Sequence, residues 1–225
     1  MLVDLAAAPR RRRKETRPSE LIEAAIDLFA ERGFAATRLE DVARRAGVSK
    51  GTAYLYFPNK EALFKAAVRE VLVTNIAMGE RDVQDWHGAS EALLRGMLEH
   101  WSEIIRSRRG ALIKLIVAEA GNFPDLAAWY HDEVAARGQR LIGAVLRRGI
   151  SSGEFRPLDV EAAAEAIACP VALRAIWAHS LACRESSPAE DKFIATYLDI
   201  MLAGLRSLTP QHSAAATGAS AQTED

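Results

Sequence analysis

The chain has 225 residues, of which 49% are hydrophobic, so a sizeable core can form. The formal net charge is -1, but residues 1–60 hold 12 Lys and Arg against 8 Asp and Glu, which leaves the remainder acidic. A basic N-terminal segment followed by an acidic remainder is typical of a phosphate-binding module joined to a domain that does not bind DNA. No apolar run approaches the ~20 residues of a membrane span, and the charges of 1–14 follow an apolar stretch, unlike those of a secretory signal. We therefore expect a soluble, cytoplasmic protein.

Both ends of the chain are predicted to be disordered. Residues 1–16 form a basic arm that contains the run Arg10–Lys14, and residues 211–225 are a Ser, Ala, Thr and Gln tail that cannot bury a core. Between the two ends the hydrophobic periodicity is helical, without a convincing alternating strand. The sequence therefore predicts an all-α fold.

The first two helices have recognisable ends. Ser19 can cap a helix over about 19–32, and Gly33 in a left-handed conformation can end it. The second helix is predicted to begin with a capping box at Thr37–Glu40 and to end at Gly47.

A short third helix and a longer fourth helix follow. Ser49 can cap the third helix, Lys50–Phe57, and Pro58 disfavours its continuation. Asn59 can cap the fourth helix, which is predicted to run from Lys60 to about Met78.

The remainder is predicted to contain a polar linker and five more helices, about nine in all. The linker spans 79–90, and the helices lie near 90–107, 110–120, 124–150, 159–182 and 188–208.

The second and third helices form a helix-turn-helix pattern over about residues 38–57. In such a unit the later helix enters the major groove, so its first turn must carry small or polar groups. Gly51 permits close approach to base edges, and Thr52 offers a hydroxyl or a methyl group. The hydroxyls of Tyr54 and Tyr56 can reach phosphates. The pattern therefore predicts a DNA-binding module.

Over about residues 17–68 the sequence resembles the TetR family of transcriptional regulators. The matching residues are Ala24–Ala25, Leu28–Phe29, Gly33–Phe34, Thr37, Asp41–Ala43, Ala46–Thr52, Tyr54, Phe57, Lys60 and Leu63–Phe64. The resemblance implies a three-helix DNA-binding head, which a fourth helix joins to a helical body. Two positions depart from the family pattern: Tyr56 stands where His is frequent, and Leu55 where an aromatic is frequent.

The resemblance also implies a function. We expect a ligand-responsive repressor that binds a palindromic operator as a homodimer and is released by a largely apolar small molecule. The expected domains are the arm (1–16), the DNA-binding head (17–60), the ligand-binding and dimerisation body (61–210) and the tail (211–225). The last two helices, rich in Ala and Leu, are expected to form the dimer interface.

These expectations name particular residues. The expected DNA-binding residues are Thr37, Lys50, Gly51, Thr52, Tyr54, Tyr56 and Lys60. The expected ligand-binding residues, taken from the inferred interior faces of the body, are Trp101, Ile105, Leu112, Ile116, Trp129, Tyr130 and Trp177. The aromatic residues among them either line a pocket or pack the core. The run Arg10–Lys14 is either a solvated tail or an arm that reaches the minor groove.

Two rival functions belong to other classes. Gly149–Gly153 spells the G-x-S-x-G of a hydrolase elbow, with Ser151 as the nucleophile. That motif needs a preceding strand, whereas helical periodicity precedes it here, so we expect a turn between helices and no enzymatic activity. The other rival is a helical interaction protein that kept the head but lost DNA binding.

Neither a metal site nor a disulfide is expected. His179 and Cys183 are four positions apart on one helix face, but two further ligands are missing, so no metal or other cofactor is predicted. Cys169 and Cys183 would lie ~21 Å apart on one helix, whereas a disulfide needs Cα atoms within about 7 Å.

Overall fold

A computed structural model describes residues 10–181 and 190–207, and this part of the chain is all-α, as predicted. An isolated antiparallel bridge pairs Phe155 with Arg206. The predicted tail (211–225) and Cys183 lie outside the described residues.

Three helices build the head. They are α1 (Arg10–Ala36), α2 (Leu39–Arg45) and α3 (Lys50–Tyr56). Helix α1 begins at Arg10 rather than near Ser19, and so takes in part of the stretch that was predicted to be disordered; Arg and Lys are good helix formers, which favours this extension. Gly33 interrupts the helical geometry with φ 82°, close to the predicted left-handed stop.

The predicted capping box of the second helix is wrong. Arg38, not Thr37, precedes α2, and its side chain makes no capping hydrogen bond. Thr37 is buried and its hydroxyl donates to the backbone carbonyl oxygens of Gly33 (2.7 Å) and Leu28 (3.3 Å). These hydrogen bonds tie Thr37 to the last turns of α1.

The helix that leaves the head is longer than predicted. It comprises α4 (Lys60–Val68), a π-helical turn (Arg69–Val73) and α5 (Thr74–Asp85). The predicted linker at 79–90 is therefore largely helical. Gly79 does not end the helix: a Cβ there would lie 2.7 Å from Leu141 Cδ2, so the glycine permits the close approach of another helix.

The body contains the remaining helices. They are α6 (Ser90–Arg106), α7 (Ala111–Glu119), α8 (Pro124–Tyr130), α9 (Ala136–Ser151), α10 (Val160–Ile176) and α11 (Glu190–Leu205). A π-helical turn, His131–Ala135, joins α8 to α9, and another, Trp177–Leu181, continues α10. With α4–α5 and α8–α9 each taken as one helix, the described residues form nine helices, as predicted.

One apolar core runs through the head and the body. Helix α1 packs against α4, the helix that leaves the head, and against α7 of the body. Phe34 contacts the ring of Phe123, which lies in the loop before α8, at a centroid distance of 5.2 Å. The head is therefore attached to the body by packing as well as by the α4–α5 helix.

A glycine in α9 gives a stability test of this packing. A methyl group at Gly149 would overlap the buried ring of Phe155, so Gly149→Ala is expected to lower the free energy of unfolding by about 1–3 kcal/mol. Gly96→Ala, in α6, meets no atom within 4 Å and is expected to raise it by about 0.5–1 kcal/mol. Chemical denaturation measures both, and equal stability of the two variants would contradict the packing of Phe155 on α9.

Candidate DNA-binding surface and effector cavity

The third helix presents one face outward. Ser49 caps it, because its Oγ accepts a hydrogen bond from the Thr52 backbone N–H at 3.1 Å. Ala53 is fully buried and anchors the inner face. Lys50, Gly51, Tyr54 and Leu55 are exposed on the outer face. This seven-residue helix therefore carries the polar first turn that entry into a major groove requires.

Glu40, on α2, organises this outer face. Its Oε1 lies 2.9 Å from Lys50 Nζ and accepts a hydrogen bond from the Tyr54 hydroxyl at 3.1 Å. The hydrogen bond from Lys50, with one from its own backbone N–H and the one from Tyr54, lowers the pKa of the Glu40 carboxyl to about 2. Glu40 is therefore ionised at physiological pH and holds two of the expected DNA-binding residues, Lys50 and Tyr54, in place. Sequence reasoning assigned this residue to a capping box and missed the role.

The other expected DNA-binding residues differ in accessibility. Thr52 and Tyr56 are half-buried, and Thr52 Oγ1 lies 2.8 Å from Ser49 Oγ. The prediction that Thr37 contacts DNA is wrong. Its side chain is buried and its hydroxyl donates to the Gly33 carbonyl oxygen, so Thr37 is not part of the outer face. Leu55, which the expected set omits, is 74% exposed on the face that carries Lys50. An exposed aliphatic side chain at this place is suited to a thymine methyl group.

Lys60 has a structural role that its position in the sequence did not reveal. Its Nζ donates to the backbone carbonyl oxygens of Phe34 (2.7 Å) and Ala35 (3.1 Å) and lies 4.4 Å from the centroid of the Phe34 ring. Partial burial lowers the pKa of the ammonium. In this conformation Lys60 fastens the end of α1 to the start of α4.

Ion pairs join the head to the body beside this point. Arg108, in the short 3₁₀ turn before α7, pairs with Asp27 (2.8 Å) and Glu31 (3.3 Å) of α1. Glu31 also pairs with Arg45 of α2 at 2.7 Å, and the hydrogen bond from Arg45 lowers the pKa of its carboxyl. Each exposed pair contributes little to stability, but together they link α1, α2 and the body.

A partly open, apolar cavity of about 280 Å³ lies between the helices of the body. Its wall comes from α5, α6, α7, α8–α9 and α10 and from the π-helical turn that precedes α5. The lining residues are Leu72, Asn75, Ile76, Trp101, Ile104, Ile105, Ile113, Val117, Tyr130, Val134, Ala135, Gly138, Gln139, Ala168, Cys169, Val171, Ala172 and Ile176. The helix that leaves the head thus forms part of the wall.

The cavity brings together three of the seven expected ligand-binding residues: Trp101, Ile105 and Tyr130. Leu112 and Ile116 lie in the solid core instead, one position before the lining residues Ile113 and Val117. Helix α7 is apolar on almost every side, so its periodicity did not specify which side chains face the cavity.

Two tryptophans also lie elsewhere. Trp129 packs beneath Lys65 and Arg69 of the α4 helix and its π-helical turn, with ring distances of 5.6 and 5.1 Å. Trp177 is 40% exposed in the π-helical turn after α10. Neither lines this cavity, because adjacent helical positions face different sides of the helix.

The remaining motifs carry little chemistry. Ser151 is the last residue of α9, and its hydroxyl donates back to the Arg147 carbonyl oxygen at 2.9 Å, so a helix rather than a strand precedes it. Within the described part of the chain, no cluster of three His, Cys, Asp or Glu residues is placed to hold a metal ion. Over 10–181 and 190–207, no helix is both long enough and apolar enough to cross a membrane.

A helix-turn-helix head with a polar outer face, joined by one helix to a body with an apolar cavity, defines a DNA-binding regulator. The model of the bacterial regulatory proteins of the tetR family matches residues 21–67, and that of the tetracyclin repressor-like C-terminal domain matches residues 84–199. The chain belongs to the TetR family of transcriptional regulators, as the resemblance of the head implied.

Two relatives of known role match most of the chain. The fatty acid metabolism regulator protein of Bacillus subtilis (strain 168) is 29% identical over 157 residues, which are 68% of this chain and 80% of that protein. The transcriptional repressor KstR2 of Mycobacterium tuberculosis (strain CDC 1551 / Oshkosh) is 32% identical over 148 residues, which are 65% of this chain and 73% of that protein.

Solved structures share the fold over nearly the whole chain. The ketosteroid regulator KstR2 of Mycobacterium tuberculosis matches with a TM-score of 0.64 at 26% identity and covers 91% of this chain and 100% of that one. FadR of Bacillus subtilis, in complex with stearoyl-CoA, matches with a TM-score of 0.65 at 22% identity and covers 84% of this chain and 99% of that one.

The two lysines of the head are expected to respond differently to substitution. Lys60→Ala removes the donor to two carbonyl oxygens and is expected to lower the free energy of unfolding by about 1–2 kcal/mol. Lys50→Ala removes an exposed ammonium and is expected to leave stability unchanged but to weaken DNA binding and reduce the salt dependence by about one counterion. Thermal melts and salt-dependent binding measure the two effects. An unaltered melt for Lys60→Ala would refute the structural role of Lys60.

Proposed function

We propose that the protein is a repressor that binds a palindromic operator as a homodimer and is released when a small molecule fills the cavity of the body. The observation that carries this proposal is the placement of one helix. Its first part, α4, is fastened to the end of α1 by Lys60, and its later residues Leu72 and Ile76 line the cavity. A ligand that displaces those residues therefore acts on the helix that positions the head.

The outer face of α3 supports distinct roles in operator binding. Gly51 and Thr52, in the first turn, are assigned to base edges. Lys50, Tyr54 and Tyr56 are assigned to phosphates, which fix the register on DNA. The ammonium of Lys60 already donates to carbonyl oxygens of α1, so it must share or give up those bonds to contact a phosphate. We therefore expect Lys60 to contribute less to the affinity for DNA than Lys50.

Exposed apolar residues support dimerisation through α10 and α11. Leu173 is 52% exposed on α10, Trp177 is 40% exposed in the turn that continues α10, and Ile200 is 67% exposed on α11. Two helices from each subunit build a four-helix interface that buries such residues. A two-fold dimer then presents two recognition helices, and its half-sites mirror each other.

The domain boundaries follow from the proposed roles of the head in DNA binding and of the body in ligand binding and dimerisation. We assign residues 17–60 to DNA binding and 61–210 to ligand binding and dimerisation. Regulation rather than catalysis is the activity that this arrangement supports, since Ser151 closes a helix and its hydroxyl is bonded to Arg147. A regulator of transcription acts in the cytoplasm, which is the location we assign.

The relatives suggest a class of effector. One relative regulates fatty acid metabolism, and the structure of FadR of Bacillus subtilis contains stearoyl-CoA. The cavity of this chain is lined mainly by aliphatic and aromatic side chains, which suits an acyl chain or a compact apolar ring system. We therefore assign the effector to apolar carboxylic-acid derivatives, with acyl-CoA thioesters as the first to test.

Genome-wide mapping of bound DNA, followed by footprinting, tests the proposal. The expected footprint is a pair of mirrored half-sites, and Ile200→Asp is expected to convert dimer to monomer in sedimentation and to weaken operator binding more than tenfold. Met78→Asp is the matched control, since Met78 is 51% exposed on α5, which is not one of the helices proposed to form the interface. A single unrepeated half-site, or an equal effect of both variants, would contradict the dimeric repressor.

A further inference from the structure

The wall of the effector cavity carries no charged side chain among its described residues. Two charged residues next to lining positions are engaged elsewhere: Arg137 donates to both carboxylate oxygens of Glu80 at 2.6 Å, and Lys114 Nζ donates to the His179 carbonyl oxygen at 2.8 Å. A carboxylate or ammonium group placed in the cavity would lose its hydration without gaining a partner, which is strongly unfavourable. The cavity therefore selects for an uncharged group.

The amide of Asn75, which also lines the cavity, is already occupied. Its Nδ2 donates to the Val71 carbonyl oxygen at 2.5 Å, within the π-helical turn, and its Oδ1 lies 2.7 Å from His100 Nε2. These bonds hold the turn that joins α4 to α5. Both amide atoms of Asn75 therefore already have a protein partner, and a wall residue without one is the better donor to a ligand.

Tyr130 offers that hydrogen bond. It lines the cavity, and no hydrogen bond joins its hydroxyl to another residue in the described ranges. Burial raises the pKa of its phenol to about 12, so the hydroxyl is neutral at physiological pH. A neutral phenol in this place is a hydrogen-bond donor. A donor in the cavity wall without a protein partner favours a ligand that supplies an acceptor.

We propose that the effector is an uncharged, largely apolar molecule with a carbonyl oxygen, and that the Tyr130 hydroxyl donates a hydrogen bond to that oxygen. The inference rests on the proposed function, in which the cavity is the effector site. Esters, thioesters, amides and ketones carry such an oxygen, whereas the free carboxylate of the same chain carries a charge that the wall cannot pair. In an acyl-CoA the charged part must lie outside the cavity.

The test uses an isosteric pair of ten-carbon probes, decanamide and decanoate. Isothermal titration of the full-length protein at pH 8 is expected to give at least tenfold tighter binding of decanamide. Between pH 8 and pH 6 the apparent affinity for decanoate is expected to rise about tenfold per pH unit, because the neutral acid is the form that binds. The affinity for decanamide is expected to stay constant over the same range.

The variant Tyr130→Phe isolates the hydrogen bond. It is expected to weaken decanamide binding about five- to tenfold, as the loss of one neutral hydrogen bond does. Tyr197→Phe is the matched control, because Tyr197 also loses a phenolic hydroxyl, one that donates to the Ile167 carbonyl oxygen at 2.7 Å, but does not line the cavity. It is expected to leave the affinity for decanamide unchanged.

Three results would overturn the inference. They are binding of decanoate at pH 8 as tight as that of decanamide, equal affinities of wild type and Tyr130→Phe for decanamide, and binding of neither probe. Operator binding by wild type and Tyr130→Phe is measured in parallel. If it persists while the probe results fail, the inference about the ligand is wrong and the DNA-binding function stands; if wild type binds no operator, the proposed function itself is wrong.

Discussion

The position of the DNA-binding head depends on the burial of one side chain, Phe34. Gly33, with φ 82°, turns the chain so that the Phe34 ring packs against Phe29 of the head, Phe64 of α4 and Phe123 of the body. Its centroid distances to these rings are 5.7, 5.0 and 5.2 Å, within the range of favourable aromatic pairs. The same cluster thus builds the core of the head and attaches the head to the body.

This attachment explains how a cavity in the body can act on DNA. Lys60 ties the start of α4 to the carbonyl group of Phe34, and Leu72 and Ile76, farther along the same continuous helix, line the cavity. A dimer must match its two recognition helices to a groove repeat of roughly 34–36 Å. In the proposed dimer, a small displacement of this helix in each subunit would forfeit contacts on a half-site without any contact between ligand and DNA.

Local chemistry in the sequence predicted the head well and the cavity less well. Ser49 caps α3 as predicted, since such a cap depends on neighbouring residues alone. Thr37 also resembled a cap, but the fold buries it beneath α1. The fourth helix was predicted to end near Met78, yet it continues, and Gly79 serves the contact with another helix, which no local pattern encodes. On α7 both Leu112 and Ile113 are apolar, and which of them faces the cavity is decided by packing across the body.

Calorimetric titration of an effector into the protein, with and without saturating operator DNA, tests the central claim most directly. The claim is that the cavity and the recognition helices share one conformational equilibrium. The effector is expected to bind the operator complex about 5- to 150-fold more weakly than the free dimer, a coupling of ~1–3 kcal/mol, and to weaken operator binding by the same factor. Equal effector affinity in the two titrations would contradict the account, because a ligand without differential affinity shifts no equilibrium.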